Sequence, residues 1–459
     1  MKKVSGLTTF LLIIGLLFAP ILTLAAPIDE VRQVIEENYK GELPTNLMEL
    51  SSIDAIIEQL DPYSTYFTKE EFKRYTDSIN NTTTGIGVVI EEHEMGIQVV
   101  STFEGTAAME AGIESGDIII SIDGTSTEKM SVQQASTLIT GKADTKVNIE
   151  VLKSTDQKKT YILTRKNFSV PVVTHKLLNE GVGYIGVNSF SEDGASLVIS
   201  AKEELARKGA TSYILDLRNN GGGFVKTAEE LIGLFPNSPY AYMLMMKNQV
   251  GLVESIPQKA LFPKDTKVLV NGYSASASEM TAAALLDQKS AKLYGQKTYG
   301  KGSMQSFYQL TDGSYLKLTI AEFAGPKGSS VNKTGVKPQV VTEEGMELEK
   351  AHLDAILENY QTYKKMPAIK NVMTNKQFTI TFSKTIQLND KERVELIKLG
   401  ETEGTPVTIE QKSAKQLKVI PKAALERGAA YLLLIHPTFQ SNKDTKMEKG
   451  AYVEVTVQP

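Results

Sequence analysis

The 459-residue sequence predicts a multidomain α+β protein made of four parts. Apolar residues recur at helix spacing between residues 27 and 80, and short β-branched strands separated by glycines follow to about residue 163. Strands and helices then alternate to about residue 363, and short strands at regular spacing fill the remainder. These changes of pattern predict a helical N-terminal arm, a small β-rich domain, a mixed α/β core and a C-terminal β-sandwich.

Composition excludes several classes of protein. The chain has 50 basic and 54 acidic residues in a well-mixed order, so we expect no nucleic-acid partner. It has no cysteine, which excludes disulfides and cysteine-based metal or redox sites. Its four histidines are scattered, so we expect no metal site and no cofactor.

The first 25 residues have the pattern of an export signal. Lys2 and Lys3 form a basic start, Phe10 to Ala19 an apolar core, and Thr23 to Ala25 a cleavage site of small residues. An uncleaved anchor is the alternative, although the apolar stretch is short for a membrane span. In both cases we expect the chain to work outside the cytoplasmic membrane, secreted or attached to the envelope.

A serine-rich turn is the first candidate for chemistry. Ser274, Ser276 and Ser278 lie among alanines, between the apolar strand Val268–Val270 and a helix predicted from Glu279 to Leu286. Such a turn suits a nucleophile, because small neighbours admit a substrate carbonyl and the first helical N–H groups face developing negative charge.

A serine hydroxyl needs a base to remove its proton, and no histidine lies in this stretch. The nearby candidate is Lys301, between Gly300 and Gly302. Burial can lower the pKa of a lysine far enough for it to act as a base. From composition alone, however, a surface turn with a solvated lysine is the simpler interpretation.

The stretch from Gly272 to Gln305 resembles the active-site region of the carboxyl-terminal processing proteases, which are tail-specific serine peptidases with a Ser-Lys pair. Their pattern is Ser-Ala-Ser-Ala-Ser-Glu, a Gly-Lys-Gly some two dozen positions later, and a glutamine four positions past the lysine. Lys301 follows Ser276 by 25 positions and precedes Gln305 by 4. The resemblance implies that Ser276 is the nucleophile, Lys301 the general base and Gln305 the residue that orients the lysine.

A second motif runs from Asp216 through Arg218 to the three glycines Gly221–Gly223. Alone, it is equally well explained as a glycine turn that closes a strand–helix unit. In the family, this loop and the residue after the nucleophile supply the oxyanion hole, which here implies the N–H groups of Gly222 or Gly223 and of Ala277. Asp216 and Arg218 are expected to hold the loop in shape.

The β-rich segment, from Thr84 to about Leu163, resembles a PDZ domain. Its glycine-containing turns, its strands and its short helix (Ser131–Ile139) follow one another in the order found in PDZ domains. The resemblance implies that it adds an extended protein tail to a sheet edge and holds the terminal carboxylate with backbone N–H groups. Gly85 and Gly87 have no side chain, so they allow the peptide to approach the backbone closely. The implied peptide-binding residues are Gly85, Ile86, Gly87 and Val88.

Four positions depart from the family pattern. Ala107 and Gly221 replace prolines, and Gln339 replaces an aspartate. Thr140 stands where several relatives have an arginine that links peptide binding to activation. Lys142 offers a charge nearby but lacks the guanidinium fork, so the sequence leaves the gating mechanism open, whereas we expect peptide capture to be retained.

The predicted parts are a signal peptide at 1–25, an arm at 27–80, a PDZ domain at 81–167, a peptidase core at 168–363 and a sandwich at 366–459. The sandwich resembles the immunoglobulin-like modules of bacterial surface-layer proteins. The resemblance implies an exported serine endopeptidase that cuts proteins near exposed apolar C-terminal tails.

Two further expectations concern binding partners, and two alternative functions stay open. In the family such arms help subunits associate, so we expect a homodimer. Contact of the sandwich with the cell wall or surface is a working hypothesis. The alternatives are a catalytically inactive PDZ adaptor of the cell surface and a serine hydrolase that acts on cell-wall peptides or esters.

Overall fold

The computed structural model describes most of the chain after residue 26. It does not describe residues 1–26, 81, 104, 131, 154–156, 170, 387, 389–392 and 442–445, so the predicted export signal lies outside the described residues. The fold divides into two compact units. Of the described residues, the smaller unit comprises those from 27 to 70 with Gln305–Ile320, and the larger those within Glu71–Met304 and Ala321–Pro459.

The smaller unit contains helices α1 (Pro27–Asn38) and α2 (Ile53–Ile57) and strand β1 (Thr65–Phe67). Its β1 pairs antiparallel with residues 315–317. Apolar side chains of the arm pack against three leucines from the later segment, Leu310, Leu316 and Leu318. Residues 305–320, which follow the predicted base in sequence, therefore share a hydrophobic core with the arm.

The next part of the chain forms a small β-domain. Its elements are α3 (Lys69–Ile79), β2 (Thr82–Gly85), β3 (Val88–His93), β4 (Gly96–Thr102), α4 (Ala107–Glu110), β5 (Ile118–Ile122), β6 (Thr125–Ser126), α5 (Val132–Ile139), β7 (Lys146–Leu152), β8 (Lys158–Thr164) and β9 (Lys166–Ser169). The main sheet has the order β3-β4-β5-β7-β8, with β6 on β5, and β2 pairs separately with β9. Aliphatic side chains of this sheet and of α5 form one core.

The α/β core follows. Its elements are β10 (Val173–Leu178), β11 (Val182–Val187), α6 (Gly194–Arg207), β12 (Ser212–Asp216), α7 (Val225–Ile232), β13 (Tyr240–Met246), β14 (Val250–Glu254), β15 (Lys267–Val270), α8 (Ala277–Gln288), β16 (Lys292–Gly295), β17 (Ser303–Gln309), β18 (Tyr315–Ala324), β19 (Val340–Val341) and α9 (Glu347–Glu358). The sheet order is β10-β11-β12-β15-β16-β19, and all pairs after β10–β11 are parallel.

This parallel arrangement positions the candidate site. The glycine loop (residues 219–223) follows the carboxyl end of β12, and the serine turn (residues 274–278) follows the carboxyl end of the neighbouring strand β15. The carboxyl edge of such a sheet is where ligand sites form. The last helix, α9, begins only at Glu347, because Gly345 just before it has a φ of +84°, outside the right-handed helical region.

The C-terminal part is a β-sandwich, as predicted. Its strands are β20 (Lys364–Lys365), β21 (Ile369–Val372), β22 (Phe378–Thr381), β23 (Val394–Lys398), β24 (Gly404–Thr405), β25 (Val407–Ser413), β26 (Gln416–Pro421), β27 (Ala430–Ile435) and β28 (Ala451–Val457). One sheet has the order β20-β28-β27-β23-β24, with β21 on β28, and the other β22-β26-β25. None of the helices in the described part of the chain has the length and apolar character needed to span a bilayer.

Candidate active site

The structure distinguishes the three serines of the turn. The hydroxyl of Ser274 is buried and donates to Leu217 O at 2.7 Å. The hydroxyl of Ser278 is buried and donates to Asn220 O at 2.8 Å. Ser276 is only half-buried. Both outer serines therefore hold the turn in shape, and Ser276 is the one whose surroundings suit a nucleophile.

Ser276 occupies the N-cap of α8 in a strained backbone conformation, with φ 56° and ψ −113°. A non-glycine residue with this φ is uncommon, and such strain concentrates at functional sites. The residue after it, Ala277, opens the helix, so its N–H points out of the helix start. This geometry is that of a sharp strand-to-helix turn with the serine at its apex.

The glycine loop lies directly against Ser276. A Cβ placed on Gly222 would come within 2.9 Å of both Ser276 Cβ and Ala277 N, and Gly222 has a φ of +104°. A Cβ on Gly223 would instead meet the carbonyl of Phe190 at 2.4 Å. Only glycine fits at both positions, so the loop backbone can approach the serine closely.

Asn220 connects the glycine loop to the serine turn and is fully buried. Its Nδ2 donates to Val187 O at 2.7 Å, and its Oδ1 accepts the N–H of Gly222 at 2.9 Å. Its backbone oxygen accepts the N–H of Ala275 at 3.0 Å. The N–H of Gly222 is therefore already engaged within the loop.

Glu279 joins the serine turn to the lysine loop, and its carboxylate is fully buried. Oε2 accepts the N–H of Ser276 at 3.0 Å and the N–H of Lys301 at 2.8 Å. Oε1 accepts the N–H of Gly300 at 2.7 Å and the hydroxyl of Thr298. Four donors satisfy this carboxylate, as a buried charge requires.

In the sequence, Glu279 marks only the predicted start of a helix. The spacing of Ser276 and Glu279 is that of a capping box, and this signal could have identified the contact between Glu279 and the N–H of Ser276. The contacts with residues 298–301 depend on tertiary structure and left no signal in sequence spacing.

Asp216 and Arg218 form an ion-paired clasp behind the glycine loop. The Arg218 guanidinium donates to both oxygens of Asp216, and its Nη1 donates to Glu347 Oε2 at 2.7 Å. Burial alone would raise the pKa of Glu347, but hydrogen bonds from Gln296 and from Arg218 lower it overall. Tyr184 also donates to Asp216, at 2.9 Å.

Lys301 and Gln305 lie in different compact units. Lys301 is half-buried, and its backbone is held by Glu279. Gln305 lies in β17, where its Nε2 donates to Thr319 Oγ1 at 3.1 Å, and Thr319 Oγ1 donates to Asp61 at 2.8 Å. The orientation of Lys301 by Gln305 stays a prediction.

Comparison with protein families assigns three parts of the chain. Residues 181–342 match the model of peptidase family S41, residues 99–153 match the PDZ domain, and residues 367–453 match the bacterial Ig-like domain. The carboxy-terminal processing protease CtpA of Bacillus subtilis is 32% identical over 376 residues, which is 81% of this chain and 80% of that protein.

The chain belongs to peptidase family S41. A probable CtpA-like serine protease of Staphylococcus aureus is 30% identical over 353 residues, covering 76% of this chain and 70% of the relative. The predicted combination of PDZ domain, S41 peptidase core and immunoglobulin-like module is thereby confirmed.

Solved structures show the same fold. The photosystem II D1 C-terminal processing protease superposes with a TM-score of 0.50 at 24% identity, over 72% of this chain and 96% of that one. A putative S41 protease from Bacteroides fragilis superposes with a TM-score of 0.50 at 17% identity, over 74% of this chain and 94% of that one.

Two departures from the S41 pattern have local explanations. Ala107 is the first residue of α4, where proline is favoured because the N–H there has no helical partner and the fixed φ of proline suits a helix. Alanine fits the same position. Gln339 accepts the N–H of Leu293 at 2.7 Å, so an amide oxygen satisfies the backbone of β16.

The predicted peptide-binding residues of the PDZ domain lie at the start of an edge strand. Among the described strands β3, which begins at Val88, pairs only with β4 within its sheet, and α5 packs against it. Ile86 is fully buried in the domain core. Gly87 has a φ of +83°, and a Cβ there would lie 2.2 Å from Thr106, so only glycine fits.

The end of the PDZ helix carries an arginine that the sequence analysis missed. Thr140 donates its hydroxyl to Ser136 O at 2.7 Å within the helix. The buried guanidinium of Arg165 instead reaches this end, donating to Ile139 O and to Leu138 O at 2.8 Å each. Arg165 therefore satisfies the last carbonyls of α5, where positive charge is stabilising.

A cleft of about 790 Å³ adjoins this helix end. Its charged lining consists of Lys73, Arg74 and Asp77 from α3 and Lys142 after α5. Lys73 pairs with Asp77 at 2.6 Å, so the cleft keeps an excess of positive charge. Thr140 also lines it, and a Cβ on Gly85 would lie 3.8 Å from Thr140 Cγ2.

Proposed function

We propose that the protein is an exported serine endopeptidase that cuts other proteins near exposed apolar C-terminal tails, with Ser276 as nucleophile and Lys301 as general base. One observation carries this proposal. Ser276 is the half-buried serine of the turn, its strained N-cap faces the glycine loop, and its backbone shares one carboxylate oxygen with Lys301.

The chemistry would proceed in two acyl transfers. Neutral Lys301 Nζ accepts the proton of Ser276 Oγ as the oxygen attacks the scissile carbonyl. The tetrahedral intermediate collapses when the lysine ammonium returns the proton to the departing amine. Water, deprotonated by the same lysine, then attacks the acyl-enzyme, the acyl–Oγ bond breaks to release the new C-terminus, and the lysine returns the proton to Ser276 Oγ.

The oxyanion would be stabilised by backbone N–H groups. The N–H of Gly222 donates to Asn220 Oδ1, which favours Gly223 over Gly222 as the donor from the loop. The N–H of Ala277, at the positive end of α8, is the second donor. Fixed donors of this kind stabilise developing charge without reorganisation during the reaction.

Substrate capture would use the free edge of β3. An extended tail adds to this edge as a further strand, and its carboxylate meets the backbone at Gly85, Ile86 and Gly87. The excess positive charge of the neighbouring cleft favours an anionic group there.

The immunoglobulin-like module and the bacterial processing-protease relatives point to an extracytoplasmic location. Export by the N-terminal segment, a homodimer formed through the arm, and contact of the module with the cell wall stay predictions. Protein substrates fit a peptidase that carries a PDZ domain.

The test is cleavage of an unfolded protein with an apolar C-terminus by the full chain, by Ser276→Ala and by Lys301→Ala. Lys297→Ala, an exposed lysine in the same loop, is the control. We expect turnover and labelling by a serine-reactive phosphonate in wild type and control only. Retained turnover in Lys301→Ala would reject the lysine as base.

Two other results would replace the proposal. Tail binding without cleavage by any variant, including wild type, would favour the inactive adaptor. Hydrolysis of small esters or cell-wall peptides with no protein cleavage would favour the second alternative. An amidated tail peptide serves as a control for carboxylate recognition in the binding assay.

A further inference from the structure

One strand of the immunoglobulin-like module, β27, is buried on both of its faces. Every residue of β27 is buried. Tyr431, Leu433 and Ile435 face the core of the sandwich. Alternate residues on the opposite face, Leu432 and Leu434 among them, belong to a separate apolar cluster. The outer face of a sandwich normally carries polar residues, so this one is built to be covered.

Helix α9 of the peptidase core covers that face. The cluster contains side chains from the helix, from the peptidase sheet and from the module. They include Ala351, Leu353 and Ile356 of α9, Ile214, Leu269 and Tyr294 of the sheet, and Ile397, Leu399, Leu432 and Leu434 of the module. The helix is therefore held between the peptidase sheet and the module by one continuous hydrophobic cluster.

A buried histidine fixes the geometry of this junction. His352 of α9 is fully buried, and its Nδ1 accepts the N–H of Gly400 from the module at 2.9 Å. That bond leaves the proton on Nε2, which donates to Asn179 O at 2.9 Å. Asn179 N–H donates to Glu401 O at 2.9 Å, and Lys176 Nζ donates to Gly400 O at 3.1 Å. Directional bonds thus accompany the apolar contact.

The first residue of the same helix holds the glycine loop. Glu347 is 1% exposed, and its Oε2 accepts Arg218 Nη1 at 2.7 Å. Its Oε1 accepts Gln296 Nε2 at 2.7 Å. Arg218 in turn donates hydrogen bonds to Asp216, which is the last residue of β12 and precedes the glycine loop. A shift of α9 would therefore move the clasp behind this loop.

We propose that the immunoglobulin-like module positions the glycine loop of the peptidase through α9, so that it is part of the catalytic core. The module seats the helix, the helix places Glu347, and Glu347 fixes Arg218 and the loop that would hold the oxyanion. The turnover readout of this inference rests on the proposed function. Small displacements of such a loop lower kcat strongly, because the donors must meet the transition state.

Two neighbouring leucines of β27 provide a matched test in the full chain. Leu432 is 0% exposed and belongs to the apolar cluster that includes α9, whereas Leu433 is 2% exposed and faces the core of the sandwich. Replacing either by alanine removes the same buried side chain from the same strand. We expect Leu432→Ala to lower kcat and phosphonate labelling of Ser276 about tenfold with KM for the tail unchanged, and Leu433→Ala to change kcat less than about twofold.

A second readout separates failure of this inference from failure of the proposed function. Amide hydrogen exchange of residues 219–223 should become faster in Leu432→Ala and in His352→Leu, and stay unchanged in Leu433→Ala. This measurement does not require turnover, so it decides the case if the wild-type chain cleaves nothing. Equal kcat values and equal exchange in the two leucine variants, with similar losses of unfolding free energy, would show that the module only stabilises the chain.

Discussion

The backbone N–H groups of Ser276 and Lys301 donate to the same atom, Oε2 of Glu279, at 3.0 and 2.8 Å. The backbones of the proposed nucleophile and base are thus set by one buried carboxylate, although the residues are 25 positions apart. The other oxygen of Glu279 holds Thr298 and Gly300. Glu279 is therefore a positioning residue for the pair.

Replacing Glu279 by glutamine should lower kcat by about 10²-fold or more, because the amide NH₂ cannot accept the N–H groups that the carboxylate holds. KM for a tail peptide should stay near the wild-type value, since the PDZ domain is untouched. Steady-state kinetics at a temperature where circular dichroism shows a folded chain would check this. Glu229→Gln, which alters a carboxylate bonded to Tyr242, is the control. Equal loss of kcat in both variants would count against the positioning role.

Gly222→Ala should abolish most turnover while its neighbour Gly221→Ala is tolerated. A Cβ at 222 would sit 2.9 Å from Ser276 Cβ, and its φ of +104° disfavours alanine by roughly 1–3 kcal/mol. A Cβ at 221 would meet nothing within 4 Å. We expect cleavage by Gly221→Ala within about twofold of wild type, because alanine only restricts the unfolded chain there. Full activity of Gly222→Ala would refute the close approach of the loop to the serine.

Acid should weaken the junction between peptidase and module. Burial, followed by the nearby charge of Lys176, lowers the pKa of His352 to about 4 from 6.5. Between pH 6.5 and pH 4 the histidine is protonated in the unfolded chain but neutral in the folded chain. The contribution of neutral His352 to the free energy of unfolding is therefore complete above pH 6.5 and is lost as the pH falls towards 4. The loss reaches up to about 3 kcal/mol. Urea unfolding at about pH 7.5 and pH 5 should show a smaller pH dependence in His352→Gln than in wild type.

Lys142→Ala should weaken binding of a peptide with a free C-terminal carboxylate by roughly two- to fivefold, as expected for an exposed charge near the site. The effect should shrink at high salt and vanish for the amidated peptide. Lys158→Ala, on β8 at the opposite edge of the PDZ sheet, serves as the control. Fluorescence anisotropy with a labelled tail gives both affinities. Equal losses of peptide affinity in Lys142→Ala and Lys158→Ala would show that the carboxylate does not interact specifically with Lys142.

Local patterns were sufficient to predict most elements near the site. Strand β15 lies where the apolar run Val268–Val270 predicted it, and α8 begins at Ala277, close to the predicted Glu279. The sequence pattern does not show where α9 begins, because helix periodicity carries no sign that Gly345 takes a φ of +84°. Strand β23 (Val394–Lys398) is short and mixes apolar and charged residues, so its pattern gives little indication of a strand.

The sequence by itself determined the family, the order of the parts and the serine-lysine spacing, because these depend on residue type along the chain. Tertiary structure alone decided which serine of the turn stays half-buried, since Ser274 and Ser278 are buried and bond to carbonyls more than 50 positions away. It also decided that Glu279 joins two loops and that Leu432 shares an apolar cluster with a peptidase helix. Hydrogen bonds and apolar contacts between distant residues form only when strands and helices assemble, so sequence spacing carries no record of them.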